Sequence, residues 1–332
     1  MEILSTSDND LERAAAALAA GLLVAFPTET VYGLGGDAFN TAALAKIFEA
    51  KNRPRFDPLI VHIADMDTLA RIADTAALPR PAEERLLALT ERLWPGPLTL
   101  ILPKKAIIPG LATSGLPTVA VRFPSHPVAQ KLIRLSTGAI AAPSANPFGC
   151  LSPTRAEHVK NQLGERIDFI VDGGRTEVGL ESTVLDITQD TPAILRYGGT
   201  SRETIEAIIG PVSVSLDSSS SEAPISSPGQ LKNHYAPRTP LYLCEPGELD
   251  VMPPPSLDEG WLYFSPAKNA ILSSRTTRVL SETSNLTEAA ANFFDMLHEL
   301  DNLGLSAIRA EMAPAIGLGE AINDRLRKAS AD

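Results

Sequence analysis

Apolar stretches typical of buried strands alternate with amphipathic helical segments along most of the chain. Apolar residues at helical spacing predict helices at 10–23 and 41–51. Asp65 predicts the start of a further helix as its N-cap residue, and Thr154 with Glu157 forms a capping-box pattern that predicts another. The predicted strands are 22–26, 58–63, 98–102, 119–123, 169–172, 183–187 and 193–196. This alternation predicts one large α/β domain.

The alternation stops at a segment that separates two regions of the chain. Residues 213–227 contain a run of four serines (218–221) among prolines and acidic residues, which is typical of a linker that cannot bury a core. Beyond it, strands are predicted at 241–244, 261–264 and 307–311, and helices at 287–300 and 320–329. We therefore predict an α/β domain at 1–212, a linker at 213–240 and a smaller α/β domain at 241–332.

Composition and charge restrict the class of protein. The 332-residue chain is 44% hydrophobic and 21% charged, as in ordinary globular proteins. Its two cysteines are far apart in sequence, which excludes a cysteine-rich zinc site and a disulfide scaffold and favours a reducing compartment. The sequence contains no signal-peptide pattern and no apolar run long enough to span a membrane, so a cytoplasmic protein is expected. The net charge of -11 disfavours stable binding to nucleic acid.

Cations and hydroxyl groups occur at the ends of several predicted strands. Residues 26–35 combine hydroxyls with glycines that allow a sharp turn, and Lys51 and Arg53 follow one helix later. The spacing of a phosphate-binding P-loop is absent, so these cations either bind an anionic ligand or simply complement a helix C-terminus. Arg122 lies inside an apolar strand, where its guanidinium needs an anion, either a ligand or an acidic side chain of the same protein.

Two further clusters place polar residues in the same way. Ser144 and Asn146 would face the same side of an extended segment, with Ser152 just beyond, although turns use these residue types too. Ser182 and Arg196 each lie at a strand end. Neither Ser144 nor Ser182 lies in a nucleophile elbow, and the five histidines indicate no catalytic triad. Cations and hydroxyls at strand ends favour a polyanionic ligand such as a nucleotide.

The motifs in these clusters resemble those of the YrdC-like family. The segments that carry the resemblance are 26–35, 51–53, 58–62, 93–99, 144–146, 180–184, 195–198, 234–240 and 317–326. The last two look like the longer, two-domain form of the family, the threonylcarbamoyl-AMP synthases. The resemblance implies an α/β fold with a twisted mixed sheet and flanking helices, followed by a smaller, Rossmann-like α/β domain.

The resemblance also implies a reaction. Members of this family join L-threonine, bicarbonate and ATP into threonylcarbamoyl-AMP (L-threonylcarbamoyladenylate) and pyrophosphate, and Mg2+ is expected with the ATP. The product is expected to pass to the tRNA threonylcarbamoyl transferase complex, which makes threonylcarbamoyladenosine in tRNA. The expected protein is thus a cytoplasmic nucleotidyltransferase that binds tRNA at most weakly and does not associate with membranes.

Residue roles carry over where this sequence matches the family's motifs. L-threonine is expected to contact Thr30, His62, Arg122, Ala142 and Ser182. ATP is expected to contact Arg53, Thr118, Ser144, Asn146, Ser152, Arg196 and Tyr235, the last of which would fold back over the nucleotide from the linker. Lys51 and Arg53 are expected to act in catalysis near the phosphates. Asp57 stands where an ATP-contacting asparagine is expected and is given no role, and no metal site formed by the protein is expected.

The same sequence allows two alternative functions. An RNA-binding or regulatory module would suit a locally basic face, but the acidic net charge and the lack of stacking aromatic motifs disfavour it. A carbamoyltransferase like the hydrogenase maturation proteins would be larger and would carry cysteine-rich zinc fingers. The preferred hypothesis requires Lys51, Arg53, Arg122 and Arg196 to gather in one pocket, where they bring two mutually repelling anions together.

Overall fold

The structure, a computed structural model, describes residues 1–216, 235–253, 256, 258–266 and 275–330. Most of the predicted linker, including the serine run and His234, lies outside these ranges. None of the described helices combines the length and the apolar character that crossing a membrane requires.

Residues 1–216 contain eleven strands and seven helices. The strands are β1 (Glu2–Leu4), β2 (Val24–Phe26), β3 (Gly33–Asp37), β4 (Ile60–Ile63), β5 (Leu98–Pro103), β6 (Thr118–Arg122), β7 (Ala139–Ala141), β8 (Phe169–Val171), β9 (Thr183–Asp186), β10 (Ala193–Arg196) and β11 (Ser213–Val214). The helices are α1 (Asp8–Ala19), α2 (Thr41–Lys51), α3 (Met66–Ile72), α4 (Arg80–Leu93), α5 (Pro127–Leu135), α6 (Ala156–Leu163) and α7 (Arg202–Ile209). Two short 3-10 turns lie at Thr75–Ala77 and Gly164–Arg166.

These eleven strands form one mixed sheet in the order β1-β8-β2-β3-β7-β4-β6-β5-β9-β10-β11. Strands β4 and β6 are parallel, whereas β7 pairs antiparallel with β4 and β5 pairs antiparallel with β6. Val61 and Val121 are Cα partners and are fully buried in the apolar core on one face of the sheet, whereas His62 and Arg122 lie on the opposite face. The predicted fold class is therefore confirmed.

A second, smaller sheet follows the linker. Its strands are β12 (Leu241–Cys244), β13 (Glu259–Tyr263), β14 (Thr277–Val279) and β15 (Ala307–Glu311), all parallel, in the order β12-β15-β13-β14. Helices α8 (Leu286–Asp301) and α9 (Leu318–Ala329) bury apolar faces that include Phe293, Leu297 and Ile322. The predicted second α/β domain is confirmed, while its boundaries and those of the linker stay predictions.

The two domains share an apolar cluster beside the large sheet. Val31, Leu151 and Leu180 of the first domain pack in the same buried cluster as Tyr235 and Phe294. Because these contacts would expose large apolar surfaces if the domains separated, they stabilise one arrangement of the two domains. Helices α8 and α9 therefore lie against the loops that precede β9 and follow β10.

Several element predictions agree closely with the structure, and one cap is wrong. Helix α2 has the predicted bounds, and the side chain of Asp65 caps α3 by accepting from the backbone N–H of Thr68. Thr154 does not cap α6, which begins at Ala156: its hydroxyl lies 3.4 Å from Nδ1 of His158, and its backbone N–H, which a capping box would pair with Glu157, donates to the same nitrogen at 3.3 Å. The capping-box prediction fails because this local hydrogen bond competes with it.

The glycine-rich segment at 33–36 is a buried strand, β3, and not the predicted sharp turn. A Cβ atom on Gly35 would lie 2.8 Å from Cε1 of Phe26 and 2.9 Å from Cγ2 of Ile140. These distances are shorter than side-chain contacts allow. Glycine at position 35 therefore permits close packing between neighbouring elements, which is a different use of the residue from a turn.

Candidate active site

A polar cavity lies where the loops around β4, β6, β7, β9 and β10 meet the linker. Its lining combines hydroxyl groups, three arginines and a few apolar side chains. The lining residues are Thr28, Thr30, Val31, Gly33, Arg53, Ile60, His62, Arg122, Ala142, Pro143, Ser144, Glu181, Ser182, Arg196 and Tyr235. Cavities of this kind, with a few convergent polar groups, are typical of small-molecule sites.

Strand register brings the central side chains together. His62 on β4 and Thr99 on β5 are both Cα partners of Arg122 on β6, so the three lie in one row across the sheet. The row continues because the hydroxyls of Thr99 and Ser182 lie 2.7 Å apart. Ser182 is the residue just before β9, and it reaches this row because β9 pairs parallel with β5. Residues far apart in sequence thus share one edge of the cavity.

Arg122 forms a buried ion pair with a carboxylate next to the cavity. Its Nη2 lies 2.8 Å from Oε1 of Glu29. Burial raises the pKa of Glu29, but the neighbouring charge of Arg122 opposes burial, and the pKa lies below its ordinary value. Arg122 thus has an acidic partner in the protein, as one interpretation of the sequence predicts, and it also lines the cavity, while its binding of an anionic ligand stays a prediction.

Arg53 is also paired within the chain. Its Nη2 lies 2.8 Å from Oδ1 of Asp57 and donates to the carbonyl oxygen of Pro58. Burial raises the pKa of Asp57, and the neighbouring charge of Arg53 opposes that rise. Asp57 therefore orients the guanidinium that lines the cavity. The sequence indicates no role for Asp57, and this contact gives it a structural role.

Lys51 lies behind the cavity lining. Its Nζ donates to the carbonyl oxygen of Ser144 at 2.6 Å and to that of Asn146. The ammonium is almost fully buried, and burial together with the charge of Arg53 holds the pKa of Lys51 well below its ordinary value. The amide of Asn146 in turn donates to the carbonyl oxygens of Pro147 and Cys150. Lys51 and Asn146 therefore shape the loop that presents Ser144.

Arg196 and Glu181 complete the side of the cavity that faces the second domain. Nε and Nη2 of Arg196 donate to the carbonyl oxygen of Ser182, at 3.1 and 2.8 Å. Glu181 accepts from the hydroxyl of Ser152 through one carboxylate oxygen, and its other oxygen lies 3.1 Å from Nε of Arg325. Arg325 belongs to α9, so the second domain supplies a charge next to the cavity.

Two family models match the chain. One, described as "Telomere recombination", matches residues 16–198, and the other, described as "Threonylcarbamoyl-AMP synthase, C-terminal domain", matches residues 200–331. Threonylcarbamoyl-AMP synthase from Bacillus subtilis (strain 168) is 46% identical over 335 residues, which cover 98% of this chain and 94% of the relative. This chain belongs to the threonylcarbamoyl-AMP synthase family.

Other similar proteins agree with this family. Threonylcarbamoyl-AMP synthase from Pyrococcus abyssi (strain GE5 / Orsay) is 42% identical over 322 residues, covering 93% of this chain and 91% of the relative. The crystal structure of P. abyssi Sua5 complexed with L-threonine superimposes with a TM-score of 0.89 at 38% identity, over 99% of this chain and 98% of that one. The similarity to solved structures thus covers both domains.

The cavity gathers most, but not all, of the residues predicted for a threonylcarbamoyl-AMP synthase. Nine of them line it: Thr30, Arg53, His62, Arg122, Ala142, Ser144, Ser182, Arg196 and Tyr235. Lys51, Asn146 and Ser152 are buried behind the lining. Thr118 begins β6, whereas Arg122 ends it, about 13 Å away at the usual rise of a strand. The expected ligand contacts of all these residues stay predictions.

Three charged residues near the cavity were not predicted from the sequence. Glu29 and Glu181 lie inside motifs quoted for the family resemblance, and Arg325 lies in the motif near the end of the chain. Each is at most 5% exposed. A charged residue enclosed within a short motif was the available signal, since buried charges need partners. In the described residues, no group of three or more His, Cys, Asp or Glu side chains is arranged to hold a metal ion.

Proposed function

We propose that this chain makes threonylcarbamoyl-AMP and pyrophosphate from L-threonine, bicarbonate and ATP, for threonylcarbamoyladenosine modification of tRNA. The observation that carries this proposal is that Arg53, Arg122 and Arg196, which are distant in sequence, line one cavity. Three guanidinium groups in a small cavity suit a ligand with several negative charges. The relatives named threonylcarbamoyl-AMP synthase supply the identity of the reaction.

The chemistry joins two anions, which explains the need for cations. The amine nitrogen of threonine bonds to the carbon of bicarbonate, water leaves, and one carbamate oxygen attacks the α-phosphorus of ATP while the bond to pyrophosphate breaks. Repulsion between the carbamate and the triphosphate opposes this approach. Fixed positive charges reduce that repulsion, and a closed site holds the attacking oxygen in line with the leaving group.

We place threonine in the half of the cavity formed by Thr30, His62, Arg122, Ala142 and Ser182. Arg122 would bind the carboxylate of threonine with the donors that Glu29 leaves available. His62 is fully enclosed, and burial together with the charge of Arg122 lowers its pKa to about 3. The imidazole is therefore neutral near pH 7 and acts as a hydrogen-bonding group, so it adds no charge that would compete with Arg122.

We place ATP against Arg53, Ser144 and Arg196, with Tyr235 covering the nucleotide. Thr118, Asn146, Ser152 and Lys51 would act on ATP through the loops and strands that they hold. Mg2+ would arrive with the substrate, bound by phosphate oxygens. Glu181 in the cavity lining and the nearby Glu29 and Asp57 are each paired with an arginine, so these carboxylates are poor candidates for direct metal ligands.

The remaining parts of this proposal concern the cell. A cytoplasmic location fits a tRNA-modification enzyme whose described helices include none suited to a membrane. Transfer of the adenylate to the tRNA threonylcarbamoyl transferase complex fits an unstable product that must be used quickly. With a net charge of -11, we expect weak tRNA binding by this chain, and a tight filter-binding affinity that falls steeply with salt would favour the RNA-binding alternative instead.

The decisive experiment detects the product directly. Purified protein is mixed with threonine, ATP-magnesium and ¹³C-labelled bicarbonate, and the adenylate is measured by mass spectrometry beside pyrophosphate. We expect a product that carries the label and that disappears when any one substrate is left out. A second mixture replaces bicarbonate with carbamoyl phosphate. Product only in that second mixture would favour the carbamoyltransferase alternative, and no adenylate from folded protein in either mixture would refute the proposal.

A further inference from the structure

One arginine of the second domain is completely buried beside the cavity. Arg325 lies on α9 with no exposed surface, and it is among the largest fully buried side chains of the described residues. All three of its guanidinium nitrogens are engaged: Nε with Glu181 at 3.1 Å, Nη1 with Asp324 at 2.7 Å, and Nη2 with the carbonyl oxygen of Tyr197 at 2.7 Å. A buried guanidinium with this many partners is held in one orientation.

Arg325 touches two residues that line the cavity but does not line it itself. One is Glu181, whose second oxygen accepts from Ser152. The other is Tyr235, whose ring centre lies 4.9 Å from the guanidinium carbon, a cation–π contact. The side chain of Arg325 thus joins a loop of the first domain to Tyr235 at the end of the predicted linker.

Removing this cation would change the charge balance inside the cavity. Glu181 is 5% exposed, and the positive groups that act on its carboxylate are Arg325 first and Arg196 second. Without Arg325, a buried carboxylate would attract Arg196, the remaining guanidinium, away from its position on the carbonyl oxygen of Ser182. The cation expected to meet the phosphates of ATP would then be engaged by the protein itself.

We propose that Arg325 is a positioning residue for the nucleotide: it neutralises Glu181 and supports the ring of Tyr235, and so leaves Arg196 available to the phosphates. The inference rests on the proposed function, since it assigns a nucleotide to this side of the cavity. It gives the second domain a direct part in forming the site, in addition to covering apolar surface. Arg325 contacts no reacting atom in this proposal.

The test measures kinetics and ATP-magnesium binding in the full-length chain. The variants are Arg325→Met, Arg325→Lys, Glu181→Gln and the double variant Arg325→Met/Glu181→Gln. The control is Arg155→Met, which also breaks a charged contact between the domains, although a partly exposed one, because Nε of Arg155 lies 2.7 Å from Oδ1 of Asp295. Arg155 does not line the cavity or touch Glu181 among the described contacts.

We expect Arg325→Met to raise both KM and Kd for ATP about tenfold or more, with KM for threonine changed by less than about threefold. Arg325→Lys keeps the charge without the fork and should lie between Arg325→Met and the parent. The double variant should recover most of the ATP affinity, because no buried carboxylate remains to capture Arg196. Arg155→Met should lower thermal stability and leave ATP affinity unchanged.

Equal effects of Arg325→Met and Arg155→Met on ATP affinity would overturn the proposal, because both would then act only through domain contact. ATP affinity within about twofold of the parent in Arg325→Met would overturn it as well. If Arg325→Met does not fold, the ATP affinities of Arg325→Lys and Glu181→Gln are compared with that of Arg155→Met instead. Because Kd for ATP is measured without turnover, this result stands apart from failure of the parent to make the adenylate, which would refute the proposed function instead.

Discussion

Nη2 of Arg122 lies 2.8 Å from Oε1 of Glu29, and each side chain is only 5% exposed. A carboxylate of the protein thus holds in place the cation that is expected to bind the carboxylate of threonine. The pair fixes the direction of the guanidinium before any ligand arrives, which reduces the entropy that binding must overcome.

Arg122→Met should raise KM for threonine at least about tenfold. Removing the arginine from this buried charge pair leaves the carboxylate of Glu29 uncompensated. KM for ATP should change much less, because the nucleotide is placed against other arginines. Steady-state kinetics with each substrate varied in turn provide the measurement. Arg80→Met, at a side chain that is 88% exposed, is the control and should behave like the parent. Unchanged KM for threonine would show that Arg122 does not bind it.

Lys51→Met should abolish most activity and also destabilise the protein. The substitution leaves the carbonyl oxygens of Ser144 and Asn146 without their buried donor, at a cost of about 1–3 kcal/mol for each. Lys46→Met is a matched control on the same helix, because Nζ of Lys46 donates to the carbonyl oxygen of Gly21, away from the cavity. Activity and urea unfolding should be measured together. Full activity in Lys51→Met would contradict the role given to the Ser144 loop.

The sequence identifies the cations of the site but not their partners. Arg122 stands out because an arginine in an apolar strand needs an anion. Selecting Glu29 among forty acidic residues would require knowing that the loop after β2 folds across the end of β6. Arg53 and Asp57 are four residues apart, so their ion pair is a local one that the sequence could indicate. The departure of position 57 from the family pattern does not by itself indicate that pair. Partners at long range depend on the fold, which local patterns do not encode.

The second domain shows the same limit. Apolar periodicity predicts three of its four described strands and both described helices, and β12 and β15 have the predicted bounds, but β14 was not predicted. The contact of Arg325 with Glu181 depends on how α9 packs against the first domain, and no period in the sequence reports that packing. Lys51 illustrates a subtler difference: its location near the site was predicted, but its ammonium is directed at backbone carbonyls.

Tyr235→Ala should weaken ATP binding more than Tyr235→Phe. The ring of Tyr235 lines the cavity, is 1% exposed and contacts both Arg325 and Phe294, so alanine removes a wall that excludes water. We expect KM for ATP to rise about five- to tenfold in the alanine variant. Phenylalanine keeps the ring and isolates the part played by the hydroxyl. Equal ATP affinity in the parent and in Tyr235→Ala would show that this residue does not cover the nucleotide.

Gly179→Ala should disturb the contact between the domains. Gly179 has φ of +73°, and a Cβ atom there would lie 2.4 Å from the carbonyl oxygen of Ala290 on α8. Strain and overlap together should lower the free energy of unfolding by about 2–4 kcal/mol. Gly174→Ala is the control, because Gly174 has φ of +80° but no atom within 4 Å of the new Cβ, so only the backbone cost of about 1 kcal/mol remains. Urea titrations that show equal losses would contradict this prediction.

His158 and His298 stack with their ring centres 3.9 Å apart in the contact between the domains. Burial, then the neighbouring charge of His298, lowers the pKa of His158 to about 3, and burial lowers the pKa of His298. In the unfolded chain both should titrate near 6.5. Below that pH the unfolded chain takes up protons that the folded protein refuses, so the free energy of unfolding falls as pH falls, by at most about 1.4 kcal/mol per pH unit for each histidine.

Urea titrations at pH 7 and pH 5 should therefore show lower stability at pH 5. His298→Gln keeps a donor for the carbonyl oxygen of Ser152, which Nε2 of His298 contacts at 3.1 Å, and removes one titrating group. We expect this variant to lose less stability than the parent between the two pH values, even if it is less stable at pH 7. The neighbouring ion pair raises the pKa of Arg155 and lowers that of Asp295, so these two charges stay constant in this range and cancel in the comparison. An equal loss in both proteins would show that the protonation of His298 does not differ between the folded protein and the unfolded chain in this pH range.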